Sequence, residues 1–140
     1  KLWIVGRNPP KDIVSYNSQD VKVDGNVEDI RTAYGKSDVL LAPIRNGRGT
    51  KYKILEAMAT KTPIVGTRLA IEGINVTGGR EAFVATSSQE LAAKTVAVLK
   101  NPEIGQKLAK NAFRLVSTQY NWEKISDKLD SVYREVGGRK

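Results

Sequence analysis

The run Val39-Leu40-Leu41-Ala42-Pro43-Ile44-Arg45-Asn46-Gly47-Arg48-Gly49-Thr50-Lys51-Tyr52-Lys53-Ile54-Leu55-Glu56-Ala57-Met58-Ala59-Thr60-Lys61-Thr62-Pro63-Ile64-Val65 reads as strand, glycine loop, helix and strand in succession. Its ends are short runs of branched apolar residues, the composition of a buried strand. Its centre places Ile54, Leu55, Ala57 and Met58 beside Lys53 and Glu56, the mixture of an amphipathic helix over about Lys51 to Thr60. Two strands joined through a helix pair in parallel, because a tight turn cannot return the chain in the same direction.

The pattern repeats outward. Leu2-Trp3-Ile4-Val5, Val21-Lys22-Val23 and Ala82-Phe83-Val84 are further strand runs, and Asp12 to Tyr16, Val27 to Lys36 and Gln89 to Lys100 read as helices. The alternation predicts an α/β fold with a parallel sheet covered by helices. Two longer helices close the chain. Ile104, Leu108, Ala112 and Leu115 form one apolar stripe, and Trp122, Ile125, Leu129, Val132 and Val136 another, so both are expected to cover this domain; the alternative is that the last reaches across to a further domain. At 140 residues the chain is one domain, with 40% hydrophobic and 27% charged residues and no apolar run of the ~20 residues that span a bilayer. Lys1 opens it without Met, and a strand follows at once, which predicts further sequence upstream.

The absence of Cys and His removes thiol nucleophiles, disulfides, imidazole bases and nearly all transition-metal sites. A net charge of +8 calls for an anionic partner: a nucleotide, a nucleic acid or an anionic membrane. Between residues 44 and 68, six cations (Arg45, Arg48, Lys51, Lys53, Lys61, Arg68) face the single carboxylate Glu56, so five of the eight formal charges gather around one loop and helix. A strand, a glycine loop and a helix start make an anion site, since the first helical N–H groups lack partners and the dipole is positive there. Thr50 is the expected N-cap, with Lys51 first and Lys53 third in the helix. Two lysines there oppose the dipole unless an anion, most naturally a phosphate, lies above the turn. The spacing is not that of a Walker A loop, and Gly6-Arg7-Asn8 after the first strand is not a dinucleotide fingerprint. Glu56, in the second turn beside apolar neighbours, takes either Lys53 as an ion-pair partner or a ribose diol, whose hydroxyls can each donate to one carboxylate oxygen. Tyr52 is the only aromatic from 44 to 68, which argues against stacking on nucleic-acid bases.

Gly49 to Ala59 followed by Thr62-Pro63-Ile64-Val65 resembles the donor-site signature of the large retaining glycosyltransferase family 4, or group 1. Leu2 to Gly6, Val21 to Val27 with Asp29, Ser37 to Pro43, and Tyr120-Asn121-Trp122 resemble further family segments in the same order. The resemblance implies a Rossmann-like parallel sheet with helices on both faces, the C-terminal domain of a GT-B enzyme. It implies a nucleoside diphosphate sugar as donor, no metal requirement, and an acceptor-binding N-terminal domain outside this chain. By matching position, Gly49 and the N–H groups of Thr50, Lys51 and Tyr52, with Lys53, face the diphosphate. Glu56 holds the ribose, and the turn Gly25-Asn26-Val27 presents backbone to the base. Lys51, aided by Arg48, stabilises the departing diphosphate. Arg48 stands where the family often has the first of two glutamates, and Lys61 where a glycine usually ends the helix. Glu72 matches a segment just beyond the donor site and reads on its own as a solvated loop carboxylate. The whole enzyme is expected to work in saccharide or glycoconjugate synthesis in the cytoplasm, with peripheral membrane contact among the readings and no nucleic-acid partner. The alternatives left open are a nucleotide-sugar-binding domain of another or an inactive GT-B protein, and a basic nucleic-acid-binding domain.

Overall fold

The computed structural model describes residues 1–47 and 49–138. They form two compact units, Lys1–Lys36 and Ser37–Lys140.

In the first unit, β1 (Leu2–Val5) pairs in parallel with β2 (Val21–Asp24), Leu2 opposite Val21 and Val5 opposite Asp24. The short helix α1 (Lys11–Val14) makes the crossover. Asn17 Oδ1 accepts from Val23 N–H at 2.8 Å and anchors the connection to the sheet. α2 (Ile30–Gly35) starts at Asp29, whose carboxylate accepts from the N–H of Arg31 and pairs with its guanidinium, so its pKa is held low.

The second unit carries β3 (Leu40–Ala42), β4 (Ile64–Thr67) and β5 (Phe83–Ala85), all parallel in that order. α3 (Tyr52–Ala59) joins β3 to β4, and the short α4 (Arg68–Ile71) follows β4. α5 (Ser88–Lys100), α6 (Pro102–Gln119) and α7 (Trp122–Gly137) complete the unit. α3 buries Ile54, Ala57 and Met58 completely, each large side chain contributing roughly 1.5–3 kcal/mol. Val65, Val98 and Leu108 form a buried cluster against which Val39, Phe83 and Leu91 pack.

All five expected strands are present and every pairing is parallel. They form two sheets rather than one, because apolar periodicity reports that a strand forms and not which strand it pairs with. The stripe expected on α6 is rotated. Gly105, Leu108, Ala109, Ala112 and Val116 face inward, while Ile104 is exposed and Leu115 half-buried. Close approach explains the rotation: a Cβ on Gly105 would stand 3.2 Å from Pro63 Cγ, so the helix turns its small residues to the core. α7 departs further, since none of its described residues is buried and Trp122 is 82% exposed. Its stripe is not a covering face of this unit, contrary to expectation.

α3 ends as the sequence suggests. Lys61 adopts φ +57°, the left-handed conformation that favours glycine, at a cost of about 1 kcal/mol or more. Lys61 N–H donates to Met58 C=O and Thr62 N–H to Ala57 C=O, the paired bonds of a Schellman motif. The Lys61 ammonium lies 4.6 Å from the centre of the Phe113 ring, which offsets part of that cost.

Candidate functional site

The loop from Pro43 to Lys51 leaves the carboxyl end of β3 and delivers the chain to α3. Gly47 at φ +131° and Gly49 at φ +118° occupy backbone conformations that L side chains rarely adopt. A Cβ at either would meet open space, so conformation and not crowding calls for glycine. The base of the loop is tied to the next strand: Thr67 Oγ1 donates to Ile44 C=O at 2.5 Å and accepts from Ala70 N–H at 3.3 Å, capping α4.

α3 begins one residue later than expected. Lys51, with φ −87° and ψ 53°, is the N-cap residue, Tyr52 is first in the helix and Lys53 second. Thr50 therefore does not cap, and among the described residues no side-chain hydrogen bond caps this helix. The helix start is open to solvent: Thr50, Tyr52 and Lys53 are exposed and Lys51 half-buried, with Tyr52 67% exposed. An exposed helix start whose first N–H groups no side chain satisfies is a place for an anion, and Lys51 and Lys53 supply the matching charge. Glu56 is exposed, four residues after Tyr52, or about 6 Å along the axis at 1.5 Å per residue. Lys53 and Glu56 each have a contact within the chain. Gly49, Thr50, Lys51, Tyr52, Lys53 and Glu56 thus share one loop and helix; Arg48 lies outside the described residues.

Gly25 and Val27 belong to the first unit, on the turn after β2. A Cβ on Gly25 would lie 2.9 Å from Pro9 Cδ, so the glycine permits two turns to touch. Asp24 closes the turn, its carboxylate pairing with Lys22 at 2.8 Å and accepting from Asn26 N–H at 3.2 Å. The Lys22 ammonium and then the Asn26 N–H hold its pKa below the usual carboxylate value.

Sequence reasoning did not assemble a cavity of about 540 Å³ over the carboxyl ends of β3, β4 and β5. Arg45 and Arg68 line it, and Arg45 Nη2 donates to Ser88 Oγ at 2.8 Å. Both arginines stood in the charge count, but a contact across 43 positions leaves no local signal. A second hollow, about 720 Å³, runs along α4 and is lined by exposed Glu72. Among the described residues no group of three or more carboxylates is placed to hold a metal ion, and no helix is long and apolar enough to cross a membrane.

The family model for glycosyl transferases group 1 matches residues 1–101. A Klebsiella pneumoniae protein described as an uncharacterized 44.6 kDa protein in the cps region is 26% identical over 108 residues, 77% of this chain and 27% of that protein. Among solved structures, the chain resembles sucrose-phosphate synthase from Thermosynechococcus elongatus with a TM-score of 0.81 at 22% identity, covering 99% of this chain and 39% of that one. The C-terminal domain of the group 1 glycosyl transferase LpcC from Francisella tularensis gives a TM-score of 0.67 at 22% identity, over 80% of this chain and 60% of that one. Anabaena HepE, solved with UDP-glucose, gives 0.66 at 22% identity, over 92% of this chain and 40% of that one. The fold is therefore α/β and Rossmann-like, and the chain spans well under half the length of the longer relatives it matches.

Proposed function

We infer that this chain, which belongs to the glycosyl transferases of group 1, is the donor-binding part of a two-domain enzyme that moves a sugar from a nucleoside diphosphate sugar to a hydroxyl acceptor. The observation that carries this reading is the exposed, side-chain-uncapped start of α3, delivered by a loop that Gly47 and Gly49 hold at positive φ. The diphosphate lies on the N–H groups of Thr50, Lys51 and Tyr52. Donors fixed in place before reaction stabilise the charge that grows on the leaving group without having to reorganise. Lys51 adds an ammonium at the same end, Arg48 adds its charge from the loop, and Lys53 strengthens the field. Glu56 accepts from the ribose hydroxyls, and the Gly25-Asn26-Val27 turn meets the base through backbone. The complex of Anabaena HepE with UDP-glucose supports a uridine nucleotide as the first ligand to try.

The family resemblance supports retention at the anomeric carbon, and the reading requires no metal. Most of the acceptor is held by a domain outside this chain, so residues 1 to 140 alone bind donor and transfer nothing: a cleft enzyme needs its second wall to position the acceptor and exclude water. The relative from a cps region supports a place in polysaccharide synthesis. The reading keeps the whole enzyme cytoplasmic, and the +8 charge supports peripheral contact with an anionic membrane surface.

Titration of the chain with UDP, followed by amide chemical shifts, tests the assignment. The amides of Thr50 to Tyr52 are expected to move, and Lys51→Ala to weaken binding about tenfold, the loss of one charge-assisted bond. UDP binding that leaves those amides still would remove the diphosphate from α3.

A further inference from the structure

The cavity over β3, β4 and β5 shares the base of the loop after β3 with the proposed diphosphate site and has a different chemistry. It opens at the carboxyl ends of parallel strands, where open α/β sheets receive their ligands. Its volume of about 540 Å³ is in the range of small-molecule sites. Leu69, Ala85 and Leu91 give it apolar surface, and Thr86 and Ser88 give it hydroxyls, a combination suited to the two faces and the edge of a sugar ring.

Charge sets its selectivity. Arg45 and Arg68 line the cavity and no carboxylate does. Neither arginine is in an ion pair among the described residues. The bond from Arg45 ends on the neutral hydroxyl of Ser88, which aims the guanidinium across the cavity and leaves its charge uncompensated. At the start of α5, Ser87 Oγ accepts from Glu90 N–H and the Glu90 carboxylate accepts from Thr86, so this helix end is partly occupied and the two arginines supply the full charges of the cavity. Lys51 and Lys53 do not line the cavity.

We propose that Arg45 and Arg68 form a subsite for an anionic substituent, a carboxylate or a phosphate monoester, on the saccharide acceptor. Planar guanidinium groups meet both anions through paired N–H donors. The proposal rests on the donor reading in taking the diphosphate, and the sugar attached to it, to lie at the start of α3 outside this cavity, which leaves the cavity to the other substrate.

Amide-shift titrations of the chain with glucuronate, glucose 6-phosphate and glucose, each with and without UDP, test it. The two acids are expected to shift Arg45, Arg68 and Thr86 to Ser88 saturably, and glucose at the same concentration to leave them in place. The tighter of the two acids identifies the substituent as carboxylate or phosphate. Arg45→Gln and Arg68→Gln, both at exposed positions, should each weaken the acids about tenfold while UDP still moves Thr50 to Tyr52 at unchanged affinity. Acids that bind no better than glucose while UDP still moves α3 overturn the subsite and leave the donor reading standing. Competition between UDP and the acids for the cavity amides overturns it too, assigning the cavity to the diphosphate. UDP that fails to bind anywhere removes the donor reading, and the acceptor assignment with it.

Discussion

Replacing Glu56 by Gln separates a ribose ligand from a surface ion pair. Glu56 is exposed one turn into α3, about 6 Å beyond Tyr52 along the axis at 1.5 Å per residue. Gln preserves shape but exchanges one acceptor oxygen for a donor, so a diol that needs two acceptors loses one charge-assisted bond. Such bonds contribute roughly 1.5–3 kcal/mol, and exposure favours the lower end, giving about a tenfold loss of affinity. If Glu56 only pairs with Lys53, the change costs at most about 0.5 kcal/mol of stability and leaves nucleotide binding unaltered. Calorimetric titration of both chains with UDP and with its 2′,3′-dideoxy analogue distinguishes the cases. The mutation should weaken UDP alone. Equal losses for both ligands, or none for either, would remove Glu56 from the site.

Two further outcomes follow from the scaffold. Glu90 accepts from Lys94 Nζ and from the N–H and hydroxyl of Thr86, which lower its pKa from the usual 4.5 to about 2. A depressed carboxylate contributes stability that is fully present above its unfolded pKa and is lost as pH falls; Glu90→Gln should therefore reduce the loss of stability between pH 5 and pH 2 in urea unfolding, and an unchanged pH profile would contradict the assignment. At Gly66, a Cβ would stand 3.2 Å from Ala42 C=O and 3.2 Å from Ala70 Cβ, so Gly66→Val should lower the urea midpoint by an overpacking cost of about 1–3 kcal/mol; a midpoint at or above that of the wild type would mean that β3 and α4 yield without cost.

The run from Val39 to Val65 made its strand, loop, helix and strand legible because each is set by neighbours: branched apolar runs, glycines at positive φ, and a face repeating every three to four residues. The open helix start was legible for the same reason. Its cap was read one residue early, since Thr50 is the usual residue type for a cap but Lys51 takes the backbone position. Lys61 at positive φ, where a glycine usually stands, followed from motif position and is confirmed by its conformation.

Tertiary structure decided what depends on distant partners. The stripes of α6 and α7 look alike in sequence, yet α6 is buried along Gly105, Leu108 and Ala112 while α7 stays exposed, because periodicity specifies an apolar face and not the surface that meets it. The partition of the strands into two sheets depends on ladders between residues far apart in the chain, such as Leu40 with Ile64 and Val65 with Phe83. Arg45 and Arg68 were visible as charge, but their cavity exists only because the turns after three successive strands converge at one edge of the sheet. Backbone propensity acts over a few residues, whereas the shape of a site is set by packing across dozens, and that is why the glycine loop and the open helix start could be read from the sequence and the cavity over β3, β4 and β5 could not.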